Sequence, residues 1–374
     1  MLLGNPLPPS RTLLKPAVAL LLLSPITGEL LSASSPPIAF FTPFSLFMLI
    51  GLYGCGALLV REYARRWGRG WVSIVLLGAA YGIIEEGLTA KSFFDPTWMD
   101  LGILGLYGRW LDVNWVWSQG LTIYHAIVSI TVPIILIQLT FPASSGTRWL
   151  GRKAFFAAHA WFIAVVVLGF ALITNFYPNV VQVIGIIMAV FIVAYAAKNR
   201  PPMMGRLTAS TVGTKRFYVL SLLMMVTFFP LIFWVGPYVV PYPLILFLIG
   251  IVACALYGKV YSRWGSKYMS ESQLLGIAGG VLTPWMILTP LQETGISNPD
   301  STAGMTFVGI IYAIYIIILA VTVRRRRVRS MVTGAAAKPY RVMTLSMNAS
   351  SSFNRRLSRP VIPLPQSSPM DSPS

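Results

Sequence analysis

The chain has 374 residues, of which 56% are hydrophobic, 13% aromatic and only 11% charged, and its formal net charge is +18. An ordinary soluble domain carries about a quarter charged residues, so one or two water-soluble cores are excluded. The apolar residues fall in runs of about twenty, the length of a helix across a bilayer, which predicts an all-α, polytopic transmembrane bundle and sets soluble enzymes aside.

The first segment, 13–32, follows Arg11 and Lys15 and is interrupted at Pro25 and Gly28. A signal peptide is the rival reading, because Ala17–Leu23 is a short apolar core and Ser32-Ala33-Ser34 resembles a cleavage site; an uncleaved helix is preferred. Glu29 lies four residues after Pro25. Proline frees a backbone carbonyl, and Ser24 and Thr27 offer hydrogen bonds nearby. The second segment, 43–60, ends at Arg61-Glu62, for which headgroup solvation is expected. Cys55, here, and Cys254, later, read as small packing residues.

The third segment, 71–87, contains Gly78-xxx-Gly82, a close-packing motif. Glu86 continues that stripe at i+4 and Glu85 borders it, so both carboxylates are expected to face protein. The competing expectation is that they end the helix at the headgroups, with Gly87 as C-cap. Residues 88–114 form a long aromatic loop. Asp95-Pro96 there resembles a helix start, and a short interfacial helix is expected from about 96 to 105, roofing the site or anchoring an aromatic belt.

The fourth segment, 115–139, carries Ser118, Thr122, His125 and Ser129 on one helical face. Gln138 falls on the opposite face, beyond Pro133. His125 lies about ten residues, or roughly 15 Å, below the outer end. Segments 155–174, 178–197, 217–236, 242–260, 272–291 and 304–323 complete ten. His159, beside Arg152 and Lys153, reads as structural. The ninth segment begins with a capping box, Ser270 to Gln273, and packs through Gly276-xxx-Gly280. A polar site in 13–139 and a scaffold in 155–323 follow from where the ionisable groups lie. Residues 324–374 are basic and rich in Ser and Pro, and are expected to be a disordered tail. Asn348-Ala-Ser350 matches a glycosylation sequon, and Arg355-Arg356-Leu-Ser358 a basophilic kinase site.

If all ten segments cross, 27 of the 29 Lys and Arg lie on one side, with Lys91 and Arg109 on the other. The positive-inside rule then places both termini in the cytoplasm of a cell (plasma or inner) membrane. The basic charge is topogenic, so a nucleic-acid partner is not expected. The partner is the bilayer. Arg324–Arg329 would favour anionic headgroups by roughly 1 kcal/mol per residue, or serve as a stop-transfer anchor. Oligomeric state is not legible. Ten segments invite an inverted repeat, but the break in the first segment is echoed by Pro290 of the ninth rather than in the sixth, and no repeat is claimed.

Intramembrane ionisable groups are functional candidates by default. Glu85, Glu86 and His125 are therefore the candidate catalytic residues, and Glu29, Thr122 and Ser129 the candidate substrate-binding residues. No metal-ligand or cofactor motif is present. Adjacent glutamates in one helix with a histidine in a later one resemble the CPBP-type (CAAX-protease-like) intramembrane proteases, in which paired Glu and His activate a water for peptide hydrolysis. That resemblance rests on Glu85-Glu86 and His125. It departs at Ala90, where the family has Arg, at Leu121, where it has Phe, and around His159, followed by Ile163. Three readings follow: a transporter or permease-like protein with an outward-facing acidic/His site, a CPBP-like intramembrane protease, and a scaffold or assembly protein without catalysis. Single cysteines introduced beyond residue 333 should react with an impermeant thiol reagent from the cytoplasmic face of sealed vesicles alone, and labelling from the other face would overturn the topology.

Overall fold

A computed structural model describes residues 13–200, 210–265, 269–294 and 301–332. Arg11, Arg206, Lys267, Asp300 and the tail residues Asn348 and Ser358 lie outside the described residues. In lipid a backbone must satisfy its own hydrogen bonds, and the apolar runs become helices. Helix α1 (Leu14–Pro25) continues as a π turn, Ile26–Leu30. The others are α2 (Pro43–Arg66), α3 (Trp71–Thr89), α4 (Trp115–Thr140), α5 (Arg152–Leu172), α6 (Val180–Asn199), α7 (Thr214–Val239), α8 (Pro243–Trp264), α9 (Glu271–Thr294) and α10 (Met305–Val332). These last nine are, among the described residues, long and apolar enough to cross a membrane. The architecture is an all-α polytopic bundle. The expected tenth crossing corresponds to α1, which is shorter than the other nine. Helix α10 runs on through Arg324–Arg329 to Val332, so the basic cluster belongs to a helix rather than to a disordered tail.

Helix α4 is the axis of the bundle. Of its apolar stretch 78% is buried, against 11% for α6 and for α8. Ile130, Ile134 and Ile137 on one face join the core formed with α1 and α2. Val128, Val132, Ile135 and Leu139 on the other join the core formed with α7, α9 and α10. Helix α1 packs on the middle of α2 and the second half of α4, while α3 lies against α6 and the middle of α4. The α7–α9 contact is close because Gly276 and Gly280 meet the Thr214 and Tyr218 backbone. Ser270 and Gln273 make the reciprocal hydrogen bonds of a capping box at the start of α9, 2.9 and 3.2 Å.

The expectation of headgroup solvation at Arg61 and Glu62 is corrected: both side chains are fully buried. The Arg61 guanidinium lies 3.3 Å over the Trp149 ring. It donates to the Ser145 and Thr147 carbonyls at 3.1 and 3.0 Å and pairs with Glu62 at 3.1 Å. Glu62 accepts the Trp149 amide at 2.7 Å. Arg65 donates to Gln138 of α4 at 3.2 Å. The carbonyls of the turn after α4 do for Arg61 what water would do at a surface, which makes its burial tolerable.

The loop after α3 also differs from expectation. Asp95 accepts hydrogen bonds from the Thr97 amide and hydroxyl, as an N-cap would, but only a 3-10 turn, Gly102–Gly105, follows. A short hairpin replaces the interfacial helix: β1 (Arg109–Trp110) pairs antiparallel with β2 (Val113–Asn114). Its two turn residues, Leu111 and Asp112, both have positive φ, the geometry of a type I′ connection. Phe93, Phe94, Leu101 and Leu104 are buried beneath it.

Replacing Arg61 by Leu removes the buried cation that pairs with Glu62 and the donor to the Ser145 and Thr147 carbonyls. The expected cost is about 3–5 kcal/mol, read as an earlier midpoint in reversible SDS unfolding of the purified protein. Arg324→Ala, on an exposed face, should change the midpoint by no more than about 0.5 kcal/mol.

Candidate functional site

Four π turns converge at one level of the bundle. Glu29 lies in the turn that ends α1, Tyr53 in Ile50–Gly54 of α2, Glu85 and Glu86 in Glu85–Thr89 of α3, and His125 in His125–Thr131 of α4. A π turn inserts one residue into a helix and re-aims the side chains around it, and such turns are frequent at functional sites. A fifth, Leu231–Val235 in α7, carries no ionisable residue.

The glycine stripe does what its spacing implies. A Cβ on Gly82 would come 2.8 Å from the His125 Cβ, and one on Gly78 3.0 Å from the Ala126 backbone. Helix α3 therefore meets α4 without intervening side chains, and Glu86, one turn on, reaches the imidazole. His125 Nε2 lies 2.9 Å from Glu86 Oε1. On the other edge of the ring, Nδ1 lies 3.1 Å from Glu85 Oε2 and 3.1 Å from Ser129 Oγ. The three residues are 5%, 7% and 2% exposed, so they do not end α3 among headgroups. Gly87 is not a C-cap either: the π turn carries it inward against Ile186 of α6.

Glu29 joins the same region through Tyr53, whose hydroxyl donates to it, and through Ser35, which donates at 2.7 Å. The Tyr53 ring is 6.0 Å from that of His125. Ser129 is a positioning residue. Its hydroxyl meets His125 Nδ1, and its carbonyl accepts Ser24 Oγ of α1 at 2.7 Å. Thr122 lies beside His125 against Gly82 of α3, but no hydrogen bond among the described residues joins it to the cluster. It lines an apolar cavity of about 510 Å³ with Ile83, Phe94, Gln119, Ile186 and Phe247. Ser118 turns back to the Asn114 carbonyl at 2.6 Å.

Sequence reasoning missed Tyr53, Tyr81 and Ser92. Tyrosines within apolar runs read as packing, and Ser92 stands after the predicted end of α3. Ser92 nevertheless donates to Glu86 Oε2 and accepts from Trp117 Nε1 at 3.0 Å. What turns it back is Lys91, whose backbone is left-handed (φ 64). The Lys91 side chain, fully buried, donates to the Phe170 and Thr174 carbonyls at 2.7 and 2.9 Å, capping the end of α5. It takes no part in pairing with the glutamates. His159, by contrast, behaves as expected of a structural residue, between the Tyr63 hydroxyl and the Phe155 carbonyl.

No metal-ligand spacing is visible in the sequence, yet Glu85, Glu86 and His125 each bring a ligand atom within 4.8 Å of the others. The three residues are brought together only by the fold, which joins α3 to α4.

Residues 18–357 match the model of an uncharacterized membrane protein family. The chain belongs to that family. No curated protein and no solved structure matches it. The likeness to CPBP-type proteases therefore rests on Glu85, Glu86 and His125 alone, and in this member of the family Lys91 is committed to α5.

Ser92→Ala leaves Glu86 Oε2 and the Trp117 indole without their shared hydroxyl. A loss of about 1–3 kcal/mol is expected, measurable as a lower thermal midpoint in detergent. Ser118→Ala, which breaks only a bond within its own helix, is the control and should leave the midpoint nearly unchanged.

Proposed function

We propose that this chain is an intramembrane hydrolytic enzyme. Glu86 and His125 hold a water and activate it against an amide or ester bond of a substrate that arrives through the bilayer. The observation that carries this reading is the Glu86–His125 contact of 2.9 Å, with Glu85 on the opposite edge of the same ring. A general base acts on a proton within hydrogen-bond reach, directly or through one water, and both partners lie within that reach of a common point. Glu85 and Ser129 orient the imidazole. The apolar cavity lined by Ile83 and Thr122 suits a substrate with an aliphatic portion. In the topology read from the basic residues, the centre lies toward the non-cytoplasmic side.

A proton-coupled transporter is the second reading, favoured by the Ser35–Glu29–Tyr53 row, which extends the acidic centre toward the end of α1. A purely structural scaffold is disfavoured by the excess of carboxylates over bases at the centre.

The test uses the purified protein in vesicles made from its native host's membranes, incubated in water enriched in oxygen-18. Hydrolysis places the label in a new carboxyl group, identified by mass spectrometry. Glu86→Gln and His125→Ala should each lower labelling by at least about 100-fold, and Ser118→Ala should not. Wild-type protein that labels nothing, yet loses proton-coupled uptake on Glu29→Gln, would replace this reading with transport.

A further inference from the structure

The α3–α4 contact holds more acidic than basic side chains. Glu85 and Glu86 face one imidazole, and Glu29 stands behind Tyr53. Lys91, the nearest base along the chain, is spent on carbonyls of α5. Were both carboxylates ionised, one imidazolium would leave a residual negative charge, and a buried charge without a counter-charge is costly. Two carboxylates with a neutral imidazole and one divalent cation sum to zero.

Two further observations point at a missing cation. Glu85 Oε2 is buried and, although it lies 3.1 Å from His125 Nδ1, makes no hydrogen bond of its own, Nδ1 being shared with Ser129 Oγ. The Tyr81 hydroxyl, one turn before Glu85 and 98% buried, is turned toward the Glu85 carboxyl but makes no hydrogen bond of good geometry. Buried polar atoms are nearly always satisfied, and an exception marks a role or an unseen ion or water. The bond from Ser129 to Nδ1 also orients the ring as second partners of metal-ligating histidines do, which leaves Nε2 facing Glu86. The donors are fixed before anything binds: Gly82 sets the distance between helices, and Ser24 holds Ser129.

We propose that Glu85, Glu86 and His125 bind one divalent first-row transition ion. Two carboxylate oxygens and one imidazole nitrogen suit zinc, manganese or iron(II) better than magnesium or calcium, which prefer oxygen donors alone. Three protein ligands leave positions open for water, as in catalytic rather than structural zinc sites. The proposal concerns the site assigned above to hydrolysis but does not depend on that reaction, since an ion held for transport or for rigidity would use the same donors.

The test is the metal content of untagged, full-length protein, purified in detergent without chelator. The protein is equilibrated with zinc or manganese alone, freed of loose ions by gel filtration and analysed by plasma mass spectrometry. About one ion per chain is expected. Glu86→Gln and His125→Asn should each weaken retention by roughly 10-fold or more, while Ser118→Ala keeps the ion. To separate loss of ligand from loss of fold, each variant is melted without metal. Wild type should gain thermal stability on adding the ion and lose it on chelation, and His125→Asn should do neither while still melting cooperatively. A wild-type protein with no ion above background in either metal, or a double Glu86→Gln/His125→Asn variant that retains it undiminished, overturns the proposal. Oxygen-18 labelling by a chain that retains neither metal would overturn it and keep the hydrolytic reading. A bound ion with no labelling by any preparation would do the reverse.

Discussion

A carboxylate in the interior of a membrane bundle has to be surrounded by donors or by positive charge, and the first four helices are arranged to meet that demand. Three glutamates, one histidine and a ring of hydroxyls from Tyr53, Ser35, Ser92 and Ser129 are drawn from α1 to α4 and the loops between them. Each helix of this half departs from α geometry where it contributes its polar residue. A regular helix puts consecutive residues about 100° apart, as its 3.6-residue turn requires; the π turn lets Glu85 and Glu86 serve opposite edges of one imidazole. The local cost is poorer backbone hydrogen-bond geometry, and it falls where function demands unusual directions.

The two ends of α2 solve the burial problem differently. Near Tyr53 the polar groups are acidic and meet hydroxyls. Near Arg61 they are basic and meet backbone carbonyls, the face of Trp149 and one carboxylate. Both ends bind α2 to α4, the most enclosed helix, and together they hold α2 in register along its length. The far half, α5 to α10, exposes broad apolar faces, as at Val181, Phe191 and Ile311, consistent with contact with lipid chains.

Much of this was legible in the sequence. Runs of apolar residues located the helices to within a few positions. The spacing of Gly78, Gly82 and Glu86 pointed the acids at another helix, and that helix is α4. What remained hidden has specific causes. Arg61 and Glu62 sit where a helix leaves the apolar zone, and no local signal tells a solvated pair from one covered by a distant loop. The hairpin turns on Leu111 and Asp112, which lack the Asn-Gly signature of such turns, and the N-cap chemistry of Asp95 promised a helix that did not form. The tyrosines looked apolar because most of a tyrosine is.

The reversal at Lys91 joins two things that sequence keeps far apart. Its ammonium grips the last carbonyls of α5, and the very next residue steadies Glu86. A displacement of the α5 terminus, whether from a thicker bilayer or from a neighbouring protein leaning on its bare surface, is transmitted through one peptide unit to the acid at the centre of the molecule. The site is thus mechanically wired to a helix that contributes none of its chemistry.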